Sequence, residues 1–188
     1  MYARNDNQQA ERSRHTIRDA LLRLMERSPY ADISITQICQ EAQVVRQTYY
    51  RNFEVKEDIL AFHLDSLFHA YFQTYFRGQT DDTNGQLLSF FTFMLRNAAF
   101  LRLSRQNDLF FMLNRTITDN VPRFIGIEQI ALVDDAREEP YITGFIAATV
   151  CALLAQWVEN DLAESPAWMA RLAARLLMGL RSVPAAAD

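Results

Sequence analysis

The chain has 188 residues and a formal net charge of −4 at pH 7, so it is long enough for a substantial core and for a small domain joined to a larger one. It contains only five glycines and five prolines, and its apolar residues do not alternate with polar ones, which favours an all-α fold. No apolar leader begins the chain, and no uncharged run is expected to reach the roughly 18 to 20 residues of a bilayer span. A cytoplasmic protein without a membrane partner is expected.

The first predicted element is a long amphipathic helix that ends near Ser28-Pro29-Tyr30 and follows a polar tail of ten residues. Its apolar residues recur at spacings of three and four: Ile17, Ala20, Leu21, Leu24 and Met25. A second helix is predicted from Ile35, because Ser34 and Gln37 have the spacing of a capping box, in which each side chain bonds the backbone N–H of the other. Its narrow buried stripe comprises Ile35, Ile38, Cys39 and Ala42.

A third short helix is predicted to begin near Arg46, after a tight break. Tyr49 and Phe53, four residues apart, are expected to be buried, which leaves Arg, Gln, Thr, Tyr and Asn on the outer face. Arg and Gln can bond base edges bidentately, and Thr and Tyr hydroxyls can reach phosphates. This is the composition of a DNA-recognition helix, although two short helices at a steep angle also occur in plain helical domains.

The run from Ala42 to Glu57, AQVVRQTYYRNFEVKE, resembles the A-G-V-S-x-x-T-F/Y-Y-x-H-F-x-S-K-E pattern of the TetR/AcrR family of transcriptional regulators. The resemblance implies a three-helix helix-turn-helix DNA-binding domain over residues 1–56 and a larger helical effector-binding and dimerisation domain over residues 57–188. The residues that it assigns to DNA are Ser34, Thr36, Gln37, Val45, Arg46, Gln47, Thr48, Tyr49, Tyr50, Asn52 and Lys56. Residues 145–166 also resemble the subgroup that includes activators of dihydroxyacetone kinase operons.

Several residues depart from the family pattern. Gln43 replaces the turn glycine, which adopts a left-handed backbone without steric cost. Val45 and Val55 replace serines, and a valine cannot accept a capping bond, a loss of about 1 kcal/mol. Asn52 stands where the family commonly has His. These departures leave two readings open: a DNA-binding head that becomes ordered on DNA, or one that has lost DNA binding.

Charge is divided unevenly along the chain. Residues 1–56 contain nine Lys and Arg against seven Asp and Glu, a net charge of +2, whereas residues 57–188 contain ten against sixteen, a net charge of −6. Because a net charge of +2 is modest for a protein that binds a polyanion, two DNA-binding domains per operator are needed to release enough counterions from the DNA. A homodimer on a palindromic double-stranded DNA operator is therefore expected.

Helices are predicted downstream over residues 57–77, 87–99, 108–130 with a break near Pro122 and Gly126, 141–160, and from the Ser165-Pro166 cap to about residue 181. About nine helices are expected in total. Small residues on the last two helices permit close helix approach, and the resemblance to the TetR/AcrR family implies that these helices pair with a second copy, although the same side chains could complete a monomer core. The interface residues are Phe145, Ala148, Ala152, Trp168, Leu172 and Leu176.

The aromatic content after residue 60 suggests an apolar effector site, although such stripes more often form core. The candidate ligand residues are Phe62, His69, Phe72, Phe93, Asn97, Phe110, Asn114 and Trp157. No metal or other cofactor is expected, because Asp65 and His69 lack a third ligand at suitable spacing. Cys39 and Cys151 lie on apolar stripes and are expected to be buried thiols.

The chain has no Gly-rich phosphate loop, G-x-S-x-G, H-E-x-x-H or paired C-x-x-C motif, so an enzyme is not expected. The sequence predicts a dimeric, ligand-responsive transcriptional repressor that a small apolar or aromatic effector releases or modulates. The alternative is a helical partner-binding protein with a degenerate DNA-binding head.

Overall fold

The computed structural model describes residues 2–76, 83–124 and 136–179, and within these ranges the regular structure consists of nine α-helices and one 3₁₀ turn, with no strand. The α-helices are α1 (Tyr2–Met25), α2 (Ile35–Glu41), α3 (Arg46–Asn52), α4 (Lys56–Thr74), α5 (Thr83–Arg96), α6 (Ala98–Gln106), α7 (Phe110–Phe124), α8 (Glu139–Glu159) and α9 (Pro166–Gly179). The 3₁₀ turn comprises Tyr30–Asp32. The expected all-α fold is confirmed.

The chain forms two compact units, Met1–Leu67 and Phe68–Asp188, so the division between them falls within α4. The functional division proposed after residue 56 stays a prediction. In the first unit, α1 packs against α2 and α3 over side chains that are fully buried, among them Ile17, Leu21 and Ile38. Helix α1 already begins at Tyr2, so the polar residues expected to form a tail continue the helix instead.

Ion pairs reinforce the packing of α1 on α2. The guanidinium of Arg23 donates to Glu41 Oε1 at 2.8 Å, and that of Arg27 donates to Glu41 Oε2 at 3.0 Å. Both arginines lower the pKa of the Glu41 carboxyl by these hydrogen bonds. Both arginine side chains are about half exposed or more and Glu41 is half-buried, so water screens these pairs and they orient the end of α2 more than they stabilise the fold.

In the second unit, α5 packs along α9, and α8 packs against α7, α6 and α9. Trp157 of α8 lies at its centre, with its ring 5.8 Å from that of Phe91 and its indole N–H donating to the Glu164 carbonyl at 3.0 Å. The Ser165 hydroxyl accepts the Trp168 N–H at 3.2 Å ahead of Pro166, which confirms the predicted cap of the last helix. The turn between α8 and α9 is thereby fixed at both ends.

Several helix boundaries differ from the prediction, and α5 begins at Thr83 rather than near Leu87. The helix expected over residues 87–99 ends at Arg96, because Asn97 leaves helical geometry (φ −104°, ψ 26°) and α6 follows as a separate helix. Helix α7 continues through Pro122 to Phe124, so no break falls at Pro122 itself. Pro122 has no N–H to donate to the carbonyl four residues before it, so α7 lacks one backbone hydrogen bond there. Gly126 lies outside the described residues.

Helix α8 corrects the expectation about uncharged runs. Residues 140–158 contain no Asp, Glu, Lys or Arg, and among the described residues this one helix is long and apolar enough to cross a bilayer. Its apolar character also has an explanation within the unit, because eight of its side chains are buried there: Thr143, Ile146, Ala147, Val150, Cys151, Leu154, Trp157 and Val158. Core helices of globular domains pass the same test of length and composition.

Candidate nucleic-acid interface and effector pocket

Helix α2 begins with the predicted capping box. The Ser34 hydroxyl accepts the Gln37 N–H at 3.3 Å, and Gln37 Oε1 accepts the Ser34 N–H at 2.8 Å. Both side chains are exposed but engaged with each other. They therefore fix the start of α2, and a DNA contact would have to use their remaining hydrogen-bonding capacity.

The turn between α2 and α3 confirms the expected strain at Gln43. This residue has φ 55°, and two backbone bonds close the turn: Val44 N–H to Cys39 O at 3.0 Å and Gln43 N–H to Gln40 O at 3.1 Å. This pairing is the Schellman motif, whose left-handed position normally favours glycine. A side chain there costs about 1 to 2 kcal/mol of conformational strain.

Helix α3 presents three polar side chains on one face. Arg46, Gln47 and Tyr50 are all exposed, Tyr50 to 55%, and spacings of three and four place them together. The Arg46 guanidinium donates to the Thr36 hydroxyl of α2, so the structure brings these two predicted DNA residues together. Val45 precedes them, 68% exposed and without a side-chain capping bond.

Tyr49 does not belong to this face. Its side chain is fully buried between the helices, with its ring 6.3 Å from that of Phe53, so its assignment to DNA is wrong and its burial anchors α3. Burial also raises its pKa to about 12. Thr48 and Asn52 are half-buried, and the Asn52 amide donates to the Thr48 carbonyl at 2.7 Å. Both side chains are therefore less accessible than those of Arg46, Gln47 and Tyr50.

The single lysine of the chain has a structural role that its position in the motif did not suggest. Lys56 Nζ donates to the carbonyls of Tyr30 at 2.7 Å, Ala31 at 3.2 Å and Ile33 at 3.2 Å. It also lies 4.3 Å from the centroid of the Tyr30 ring. An ammonium group has three donors, so Lys56 would have to leave a carbonyl in order to bond a phosphate.

Asp58 compensates for the missing cap at Val55. Its Oδ2 accepts the N–H groups of Glu54 at 2.9 Å and Val55 at 3.0 Å, which would otherwise be unsatisfied at the start of α4. Sequence reasoning missed this residue, although an acidic side chain three positions after the capping residue is a recognisable signal.

The second unit contains a small apolar cavity of about 40 Å³. Residues of α5, α7, α8 and α9 line it: Thr83, Gln86, Leu87, Phe90, Ile117, Val121, Phe124, Ile146, Val150 and Leu177. None of the eight candidate ligand residues is among them. The candidates are dispersed, because Phe62 belongs to the first unit, His69 is exposed, and Trp157 is a core residue.

The other candidate ligand residues have local partners. The Asn97 amide donates to the Phe93 carbonyl at 2.9 Å, and Phe93 is buried with its ring 5.3 Å from Tyr75. The Phe110 carbonyl accepts the Cys151 thiol at 3.5 Å. Burial, partly offset by a hydrogen bond with Asn114, raises the pKa of Cys151 to about 11. Both cysteines are buried, as expected.

Most of the predicted dimer residues are exposed. Phe145, Ala148 and Ala152 of α8 and Trp168 and Leu176 of α9 are exposed, while Leu172 is half-buried. Tyr141, one turn before Phe145, is 81% exposed. A Cβ added at Gly144, beside them, would meet no atom within 4 Å. Helices α8 and α9, which pack against each other, thus each leave apolar side chains exposed.

Comparison with solved structures identifies the fold. The chain superposes on a TetR transcriptional regulator from Streptococcus agalactiae 2603V with a TM-score of 0.67 and 19% identity, covering 93% of this chain and 98% of that one. It also superposes on the dihydroxyacetone kinase operon activator DhaS with a TM-score of 0.56 and 19% identity, covering 89% and 94%. No family model and no curated protein sequence matches the chain. The chain therefore has a TetR-like fold.

Proposed function

We propose that this chain is a dimeric transcriptional repressor that binds a palindromic operator through α2 and α3 and responds to an apolar effector. The observation that carries the proposal is the face of Arg46, Gln47 and Tyr50, which is exposed while Tyr49 anchors the opposite side of α3. A short helix of this kind fits the major groove, where polar side chains reach base edges.

The side chains on this face have different expected roles. Arg46 and Gln47 are positioned at the start of α3, the part of a recognition helix that reads bases. Thr36 orients Arg46 through the hydrogen bond between them. Tyr50 can donate its hydroxyl to a phosphate, a contact that positions the protein without reading sequence.

A dimer would carry twice the positive charge of a single DNA-binding domain. The first 56 residues have a net charge of only +2, and affinity for DNA increases with the number of phosphates neutralised. The exposed apolar face of α8 and α9 is the surface that we assign to the contact between copies. Two-fold symmetry would then present two α3 helices about 34 to 36 Å apart, one turn of B-DNA.

The effector is assigned to the apolar cavity of the second unit. Thr83 and Gln86 are the only polar side chains among the residues that line it, and none of those residues is charged. A charged ligand would lose its hydration there without compensation. An uncharged apolar or aromatic molecule is therefore the class that the cavity favours.

Fluorescence anisotropy with a labelled duplex from upstream of the protein's own gene tests DNA binding. Tyr50→Ala should weaken binding to all sequences, whereas Arg46→Ala and Gln47→Ala should also change the preferred bases, by about 1 to 3 kcal/mol at the contacted position. Arg102→Ala, which removes an exposed cation of α6, is the control and should leave affinity unchanged. Identical effects of all three α3 variants would contradict this assignment, and a reporter gene placed behind the duplex tests repression.

The partner-binding alternative rests on Gln43, Val45 and Val55, which leave a strained turn and two exposed valines in the head. It predicts a folded dimer whose binding to DNA is absent, or is insensitive to salt between 50 and 200 mM, where phosphate contacts lose affinity steeply. The same titration, repeated over that salt range, decides between the two functions.

A further inference from the structure

Val45 places an apolar side chain in water at the point where α3 begins. The residue is 68% exposed, has an extended backbone (φ −77°, ψ 152°) and forms no side-chain capping bond. Valine is among the least favourable residues at a helix cap, because it has no oxygen to accept a backbone N–H. Val45 therefore contributes little to the packing of the first unit and leaves the start of α3 uncapped.

The neighbours of Val45 on α3 are polar side chains that can read bases. Val45 directly precedes Arg46, so their Cα atoms are about 3.8 Å apart, close to the rise of about 3.4 Å between successive bases of a DNA strand. The Thr36 hydroxyl accepts a hydrogen bond from the Arg46 guanidinium. Residues at the N-terminus of a recognition helix contact base edges in the major groove. With α3 in that groove, Val45 lies at the base pair that Arg46 contacts or at the next one.

The chemistry of valine limits the bases that it favours. Its side chain has no hydrogen-bond donor or acceptor. Against the amino group of cytosine or adenine, or the acceptors of guanine, valine removes water without replacing its hydrogen bonds, which costs free energy. Thymine is the one base that presents an apolar group in the major groove, the C5-methyl. An apolar contact at Val45 therefore selects thymine both by attraction and by a penalty against the other bases.

We propose that Val45 reads the C5-methyl group of one thymine in each half-site of the operator, beside the base pair that Arg46 contacts. The inference rests on the proposed function, because it requires α3 to lie in the major groove. A serine at this position would cap α3 but would have no methyl group to pack on thymine. Val45 thus replaces a bond that stabilises the helix with a contact that identifies a base.

Deoxyuridine provides the test, because uracil pairs as thymine does and differs from it by the C5-methyl alone. Anisotropy titrations compare two labelled duplexes from upstream of the protein's own gene, one with thymine and one with uracil throughout. Burial of one methyl group contributes about 0.8 kcal/mol, or about fourfold in affinity, and two half-sites give about fifteenfold. The thymine-to-uracil affinity ratio of the wild type should exceed that of Val45→Ser by about this factor. Comparing the two ratios cancels any effect of uracil on the shape of the duplex.

Val55→Ser is the matched control. Val55 is a second exposed valine of the first unit, 49% accessible, at the turn before α4, and its replacement should leave the wild-type ratio unchanged. Val45→Ile keeps an apolar side chain and should retain the preference for thymine. Hydrogen exchange at α3 checks that Val45→Ser remains folded, which is expected because serine supplies the missing cap.

Single substitutions of uracil should locate the effect at one thymine in each half-site, with about fourfold weaker binding at each. Where that pair is replaced by C·G, 5-methylcytosine should bind about fourfold more tightly than cytosine in the wild type and equally in Val45→Ser. This comparison separates the methyl group from the other atoms of thymine.

Equal thymine-to-uracil ratios in the wild type and Val45→Ser, or an equal loss in Val55→Ser, would overturn the role of Val45 while leaving DNA binding intact. A 5-methylcytosine duplex that binds no better than its cytosine counterpart would also overturn it. If the protein binds neither this duplex nor any selected from a random pool, the proposed function fails and this inference fails with it. The two failures are therefore distinguishable.

Discussion

Replacement of Gln43 by glycine should stabilise the first unit. The residue has φ 55° in the turn between α2 and α3, and the left-handed conformation costs a non-glycine residue about 1 to 2 kcal/mol. Glycine removes this strain but adds about 0.4 to 1 kcal/mol of backbone entropy to the unfolded chain. Because the Gln43 side chain is exposed, little burial is lost. The net expectation is a gain of about 0.5 to 1 kcal/mol.

Hydrogen exchange under native conditions is the appropriate assay, because it measures each unit separately. The gain corresponds to exchange about two- to fivefold slower at the buried amides of α2 and α3. Both tryptophans, Trp157 and Trp168, lie in the second unit, so tryptophan fluorescence monitors that unit and should not change.

Asp108→Gly is the matched control for Gln43→Gly. Asp108 also has φ 55°, and Leu109 N–H donates to Ser104 O at 2.8 Å in the same kind of turn, after α6. This variant should stabilise the second unit and leave α2 and α3 unchanged. A Gln43→Gly protein whose first unit exchanges as fast as the wild type, or faster, would refute the strain argument.

Three further predictions concern other positions. Val45→Ser should add the missing cap of α3 and stabilise the first unit by about 1 kcal/mol, measured by the same hydrogen-exchange experiment. Val55→Ser is the control and should gain less stability, because Asp58 already accepts the N–H groups of Glu54 and Val55. Burial, with the Arg18 cation nearby, lowers the pKa of His63 to about 4 from 6.5. Between these values the unfolded chain binds a proton that the folded chain does not, so the first unit should lose up to about 3 kcal/mol of stability as pH falls from 6.5 to 4. His63→Gln should flatten this pH dependence in urea titrations at several pH values. Gly144→Ala should stabilise α8 of an isolated chain by about 0.5 to 1 kcal/mol, because nothing lies within 4 Å of the added Cβ. The same change should weaken the dimer in sedimentation experiments if the α8 helices of two copies meet at Gly144. Unchanged dimerisation would place the contact between copies elsewhere.

Local chemistry could be predicted from the sequence where neighbouring residues decide the outcome. The capping box of Ser34 and Gln37, the strained turn at Gln43 and the cap of Ser165 all depend on residues within a few positions of each other. Helical spacing likewise located most of the helices, although the break at Asn97 was missed because its flanking apolar pattern continues across it.

The cavity could not be predicted in this way. Its lining combines residues of α5, α7, α8 and α9, separated by up to ninety-four positions between Thr83 and Leu177, and no short-range pattern indicates which faces of four helices converge. Aromatic content pointed to Trp157 and Phe93, but packing made both of them core residues. Composition therefore indicated that the site is apolar, but not which residues line it.

The sequence by itself determined the all-α class, the helix-turn-helix pattern and the polar outer face of α3, because helical periodicity and capping are local properties of the chain. Only the tertiary structure decided that Tyr49 is an anchor, that Lys56 holds the carbonyls of Tyr30, Ala31 and Ile33, and that Phe124 lines the cavity. These roles arise from contacts between residues more than twenty positions apart or on different helices. Such contacts exist only once the helices have packed, and the packing fixes which donors, rings and cavities meet.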